Sequence, residues 1–365
     1  AWRKDPLGPP FNINLIWAQR MLQVSAAVTN EANDVRMVPI AFEDASTPRK
    51  PRKTASEQDQ ASYKELMKQR NLNVIAVATL ASIQKSRSAE RASTPELHVL
   101  VDGSYTNRKV LRHLPQNTTL IGRIRKDAKL SKRPEGQLAL GRRRIYGEDV
   151  PTPEQIRQDP AIPWVQIKAK AVGKVRTFRV KTLNHLRWRA AGEQDLRLVV
   201  IAPVAYHLRH GGKRLYRQPA FLICTDPHLP LEDLIQEYIW RWDIEVNNRD
   251  EKTILGVGQA QVRNANSVAS IPASAVASYA MLHIAAIKAY GWAGQPGVIP
   301  PAKWRHPKNK HRASTQDLIN ELRRELWASA IKEHHLTDFM RRAQPNTKSF
   351  KCGPNLPSAL LALTA

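Results

Sequence analysis

Four residues are spaced so that they could act on a phosphodiester: Tyr238-x2-Arg241-x3-Glu245-x6-Lys252. Steps of three, four and seven put them on one face if the segment is a single helix. A carboxylate flanked by two cations and a phenol is a poor choice for a packing face. It suits a site where Glu245 binds a divalent metal and Tyr238, Arg241 and Lys252 hold phosphate oxygens. The plainer alternative is a solvated helix with an Arg241–Glu245 salt bridge. A second acid supports the first reading. Leu97–Val101 is a short apolar run ended by Asp102-Gly103, which reads as a strand presenting an acid at its carboxyl end.

The charge balance points to the same partner. The chain has 365 residues, with 57 Lys+Arg against 32 Asp+Glu and a formal charge of +25. A surplus this large favours a polyanion, because each Lys or Arg that meets a phosphate releases counterions. The charge is uneven: Ser104 to Arg217 holds 26 Lys+Arg against 8 Asp+Glu, a surplus of 18. Within that stretch Arg123 and Arg125, and Arg142-Arg143-Arg144, are candidate phosphate contacts, with a solvated basic loop as the equal alternative. Two distant cysteines, Cys224 and Cys352, exclude a disulfide framework and a cysteine-based zinc site, and fit a reducing cytoplasm. No long uncharged apolar stretch suggests a membrane span.

Several elements must position these residues. Met21–Val28 and Val35–Phe42 read as strands around a turn at Asn30 to Asp34, with Pro39 marking the second as an edge. Thr47 to Gln60 reads as a loop, and Ser62 to Arg70 and Asn73 to Gln84 as helical. Val165–Ala171, Val175–Thr182, Leu196–Val204 and Phe221–Thr225 read as strands, with a turn at Gly211-Gly212. From Leu231 the apolar spacing becomes helical. Ser267 to Tyr290 is an apolar helix expected to be interrupted near Pro272, and Ser314 to Asp317 is a capping box for a helix carrying Leu318, Leu322 and Leu326. The last fifteen residues read as a loose tail.

The chain resembles the bacterial insertion-sequence transposases of the DDE class that carry the Tyr-Arg-Glu-Lys signature. Tyr238 to Arg263 carries the resemblance, including Arg249-Asp250-Glu251-Lys252 and Leu255-Gly256-Val257-Gly258-Gln259. So does Leu97 to Arg125, with Val101-Asp102-Gly103-Ser104-Tyr105. It implies an α/β fold: a ribonuclease-H-like core interrupted by a basic β-rich insertion, with a helical C-terminal region. The expected division is 1–103 and 221–295 for the core, 104–220 for the insertion and 296–365 for the helical end and tail. It further implies three acids holding two Mg²⁺ or Mn²⁺ ions for cleavage and joining of transposon-end DNA, with a dimer on paired ends.

Asp102 matches the second acid and Glu245 the third, both as metal ligands. The first acid is expected upstream of Ala1, in which case this stretch would not catalyse alone. Asp5, in a proline-rich run, reads as a turn residue. Trp164 and Trp188 could stack on an unpaired base, but core packing is the stronger expectation for each. Asp226, also at a strand end, is expected to cap the approach to the signature helix. Two rivals remain: a DNA-binding remnant without an active site, and a ribonuclease-H-like nuclease of repair or recombination.

Overall fold

The computed structural model describes residues 2–4, 14–89, 95–134, 143–171, 173–209, 211–292 and 313–333. Asp5, Arg142, Cys352 and the expected tail lie outside these. The chain forms two compact units. The first comprises Ala1–Ala27, Glu31–Val35 and Ala41–Ile244, and the second Val28–Asn30, Arg36–Ile40 and Glu245–Ala365.

The fold is mixed α/β. The chain begins with β1 (Trp2–Lys4), β2 (Leu15–Trp17), β3 (Met21–Thr29) and β4 (Val35–Asp44), then α1 (Glu57–Gln69) and α2 (Leu72–Ala89). It continues with β5 (Leu97–Val101), α3 (Arg108–Leu111), β6 (Thr118–Arg123), β7 (Ser131–Lys132) and α4 (Pro153–Gln158). Next come β8 (Val165–Ala171), β9 (Lys174–Arg187), β10 (Leu196–Ile201), β11 (Ala205–His207), β12 (Arg214–Tyr216) and β13 (Ala220–Cys224). The last elements are α5 (Leu231–Trp240), α6 (Asp243–Thr253), α7 (Ala265–Tyr290) and α8 (Thr315–Glu333).

The first unit is built on a seven-stranded sheet in the order β5-β6-β13-β10-β9-β7, with β8 also paired to β9. Only β5 and β6 run parallel, in the register Leu97↔Thr118 to Val101↔Gly122. β10 sits in the interior with all six residues buried, which explains a run, Leu196-Arg-Leu-Val-Val-Ile201, that is apolar apart from Arg197. One face of the sheet packs Leu120, Leu198, Val200 and Ile223 against α3 and α4 residues such as Val110, Leu111 and Ile156. The other packs Ile121, Val199, Leu222 and Val180 under Leu234 and Ile235 of α5. This alternation of period two across β6, β10 and β13 is what a sheet covered on both faces requires.

β3 and β4 pair only with each other, so Pro39 costs no second ladder. Two sequence expectations need correction, and one strand was not expected. α1 starts within the expected loop because Ser56 caps it, its Oγ accepting the Asp59 amide at 3.1 Å. β6 went unread because its Thr118-Thr-Leu-Ile-Gly-Arg123 run is short and ends in Gly-Arg. α7 runs unbroken through Pro272, which removes only one backbone donor from a 26-residue helix.

Among the described residues α7 is the one helix long and apolar enough to cross a membrane, by length and composition alone. Its Tyr279 and His283 are nonetheless buried in polar contacts: Tyr279 donates to Asn247 Oδ1 at 3.1 Å, and His283 lies 3.3 Å from Thr315 Oγ1. The Ser314 capping box is formed, with Ser314 N–H donating to Asp317 Oδ2 at 2.8 Å and Ser314 Oγ accepting the Asp317 amide. Leu318 is buried, whereas Leu322 and Leu326 are exposed.

Gly122 offers a test of the parallel pair. A Cβ there would collide with Thr106 Oγ1 and Val101 Cγ2. Gly122→Ala is therefore expected to destabilise the protein by about 1–3 kcal/mol through overpacking. An unchanged melting temperature would show that the β5–β6 crossing is looser than described.

Candidate active site

Asp102 directly follows β5, so the parallel pair delivers it to the carboxyl ends of its strands. The local chain then turns sharply. Asp102 Oδ1 accepts the Ser104 amide at 2.9 Å and the Ser104 hydroxyl at 2.5 Å, and the Asp102 carbonyl accepts Thr106 Oγ1 at 3.1 Å. Asp102 is exposed, and its Oδ2 takes no hydrogen bond among the described residues. Tyr105 stands beside it, its phenol pushed above the ordinary value by burial and by the Asp102 charge. Arg123, one residue past the Val101↔Gly122 pair, lies at the same strand ends, and its carbonyl is 3.6 Å from where a Gly103 Cβ would sit. Arg125 follows, fully exposed and bound to Asp127 at 2.9 and 2.8 Å.

α5 is fixed to the sheet by two adjacent residues. The buried Gln236 amide accepts the Lys170 N–H at 2.7 Å and donates to the Lys170 carbonyl at 3.1 Å, at the β8 edge. Glu237 meets His98 Nδ1 at 2.8 Å on β5, and Glu96 meets the other ring nitrogen at 3.0 Å. The next residue, Tyr238, packs partly buried against the core. The Arg241 guanidinium lies 5.6 Å from its ring centre, an i,i+3 contact of the kind the spacing predicts. Arg241 Nε is buried without an acceptor among the described residues.

The signature does not lie on one continuous helix. α5 ends at Trp240 and α6 starts at Asp243. Across the break, the Trp242 amide bonds Ile239 O and the Ile244 amide bonds Arg241 O, three-residue steps that tighten the turn. Tyr238 and Arg241 belong to the first unit, and Glu245 and Lys252 to the second. Within α6 the expected sharing of a face holds: seven residues make two turns less about 20°. Glu245 and Lys252 are both exposed, whereas Asn247, Asp250 and Glu251 are buried on the other side. Asn247 donates to the Met37 carbonyl at 2.9 Å, and Asp250 accepts Thr315 Oγ1 at 2.7 Å. These inward acids and their threonine partner were not singled out in the sequence, although Asp250 and Glu251 stand five and six residues after Glu245.

The remaining expectations resolve locally. Asp226 accepts the His228 amide at 2.8 Å and so closes its own turn, while Pro230 at the start of α5 makes no side-chain cap. β13 is antiparallel to β6, with Cys224 opposite Ile121. Asp226 therefore lies toward the amino end of β6, about 13 Å along the strand direction from the level of Asp102, too far to share a metal with it. Trp164 and Trp188 pack against the core, and Trp164 lies under Lys181, at 4.7 Å, so packing accounts for both. Arg143 and Arg144 are exposed. Cys224 is buried, and burial pushes its thiol up to about 12. Among the described residues no group of three His, Cys, Asp or Glu side chains forms a metal cage. The chain matches no family model, and no curated protein is similar to it.

The His98 clamp has a measurable consequence. The hydrogen bond that His98 donates to Glu237, with Glu96 on the other ring nitrogen, outweighs burial and raises His98 from 6.5 to about 9. A raised folded-state value means the stabilisation is complete below pH 6.5 and is lost as pH rises through about 9. Thermal melts across that window should show stability falling with pH, and His98→Gln should flatten the slope. Identical slopes for the two proteins would remove His98 as the titrating group.

Proposed function

We propose that the chain is a DDE transposase with a ribonuclease-H-like core, which cleaves transposon-end DNA and joins it to target DNA. The observation that carries the reading is the placement of Asp102. It is an exposed carboxylate with one oxygen unengaged, at the carboxyl ends of a parallel strand pair, where α/β sheets place their ligand sites. Arg123 stands beside it, and His98 on the same strand holds the helix that carries Tyr238 and ends at Arg241.

In this reading Asp102 and Glu245 are ligands of Mg²⁺ or Mn²⁺, with two ions in the site. The ions would supply Lewis-acid activation for phosphoryl transfer. Carboxylate oxygens are the donors such hard cations take, and both side chains are exposed to receive them. Arg241, its ring contact with Tyr238 fixing the guanidinium, and Lys252 hold phosphate oxygens, as do Arg123 and Arg125. The partners are duplex DNA and a second copy of the chain on paired ends, in a bacterial cytoplasm.

Binding and chemistry separate experimentally. Affinity for duplex DNA is expected to fall on the order of a thousandfold between about 50 and 200 mM salt. Glu245→Gln should abolish magnesium-dependent nicking of a transposon-end duplex and leave binding intact. Arg241→Ala and Lys252→Ala should weaken both, by about 1.5–3 kcal/mol each. Nicking by Glu245→Gln at the parental rate would end the assignment at its third acid.

A further inference from the structure

The first unit contains a cavity of about 600 Å³ that the strand-end acid does not use. It lies between the α3–β6 connection, the segment at Ile145 and Tyr146, and the β9–β10 turn. Asn117 and Thr118 line it at the amino end of β6. Asp102 is at the other end of the β5–β6 pair, about 16 Å away along the strands. The volume falls within the roughly 300–1,000 Å³ typical of small-ligand sites.

The lining is divided by chemistry. Leu111, Leu114 and Pro115 give an apolar wall, and Tyr146 supplies the single aromatic ring. Asn117 and Gln194 bring amides, which can pair with the edge of a planar heterocycle. Gln194 Oε1 is buried and meets no donor among the described residues. Two arginines and one acid stand at the mouth: Arg112 and Glu193 line it, and Arg143 pairs with that acid. Arg112 lies 3.5 Å from where a Gly192 Cβ would stand and donates to the Arg189 carbonyl at 2.7 Å. Arg143 reaches Glu193 at 3.6 Å. Positive φ at Asn117 and Gly192, 51° and 71°, bends both connections around the opening.

We propose that this cavity takes one unpaired nucleotide of a DNA strand, its base against Tyr146 and its phosphates on Arg112 and Arg143. An apolar slot with one ring and two amides suits a base; an arginine mouth suits the backbone on either side. A base within a duplex cannot enter, because its faces and its pairing edge are occupied. The inference rests on the DNA-binding part of the proposed function and assigns it a second subsite, away from the metal ligands.

The test compares a fully paired duplex with the same duplex carrying a single-nucleotide bulge of 2-aminopurine, at one salt concentration. The wild-type chain should bind the bulged duplex about tenfold more tightly, as one added stacking contact would allow, and should quench the 2-aminopurine emission. Tyr146→Ala should bring the two affinities within about twofold and abolish the quenching, while paired-duplex binding and melting temperature stay unchanged. Tyr146→Phe should keep both the preference and the quenching, because the ring remains. Equal wild-type affinities, or a preference that survives Tyr146→Ala, would overturn the subsite while leaving duplex binding in place. If neither duplex binds, the DNA reading falls first and the subsite falls with it.

Discussion

Two neighbouring side chains on α5 hold the first unit's candidate chemistry in place. Gln236 closes both backbone groups of Lys170 on β8, and Glu237 grips His98 on β5. A helix laid across a sheet by apolar contacts alone can slide, since burial is non-directional. Hydrogen bonds at two points on different strands remove that freedom and fix the azimuth of the helix as well. The consequence falls on the residues that come next. Tyr238 is directed onto the apolar face, and Arg241, one turn on, stacks against its ring. Because His98 shares a five-residue strand with the run into Asp102, the same grip couples the phenol and guanidinium to the strand that presents the acid.

The basic surplus between Ser104 and Arg217 is smaller on the surface than in the sequence. Lys181 is 1% exposed and donates to the carbonyls of Ile156, Arg157 and Asp159 at the end of α4, where a cation also complements the helix dipole. Arg197 is buried, donating to Thr182 Oγ1 and the Leu229 carbonyl. Arg187 donates to the Glu193 carbonyl and lies 3.6 Å from Asp195, and Lys170 pairs with Asp34 at 2.6 Å. Lys181 and Arg197 do structural work that apolar residues could not, because they supply donors to carbonyls and a hydroxyl inside the fold. The rest, Arg123, Arg143, Arg144 and others, are exposed on loops and strand ends.

Much of the fold was legible, for a definite reason. The strands β3, β4, β5, β8, β10 and β13 announce themselves by β-branched and apolar runs, and Ser314 announces α8 by its box. The missed features are those that local pattern does not encode. β6 is recognisable only from its neighbours, since its buried Thr119-Leu-Ile-Gly122 gains that burial from sheets and helices far away in sequence. Asp102 was readable because an acid ending an apolar strand breaks the pattern of its surroundings. The cavity at Tyr146 was not, because its walls come from three connections between 111 and 194 with no shared motif. The helix break at Arg241-Trp242 was also invisible: no Pro or Gly marks it, and the apolar spacing continues through Trp242 even though that ring ends 61% exposed.

That break changes how the Tyr-Arg-Glu-Lys spacing should be understood. On one helix, four residues would share a face by geometry alone. On two, each pair needs its own support, and each has it. The first pair rests on the grip of Gln236 and Glu237. The second rests on a buried polar seam in the second unit, where Asn247 and Asp250 on α6 bond Met37, Tyr279 and Thr315. Polar groups in such a seam leave little tolerance for rotation, since a small turn of α6 would strand a buried carboxylate and a buried amide together. Glu245 and Lys252 are therefore held outward by what lies opposite them. An apolar inner face would bury α6 equally well but would let it roll, and the exposed Glu245 and Lys252 would roll with it. The polar residues on the hidden side of α6 thus orient the exposed pair, although only the exposed pair stands out in the sequence.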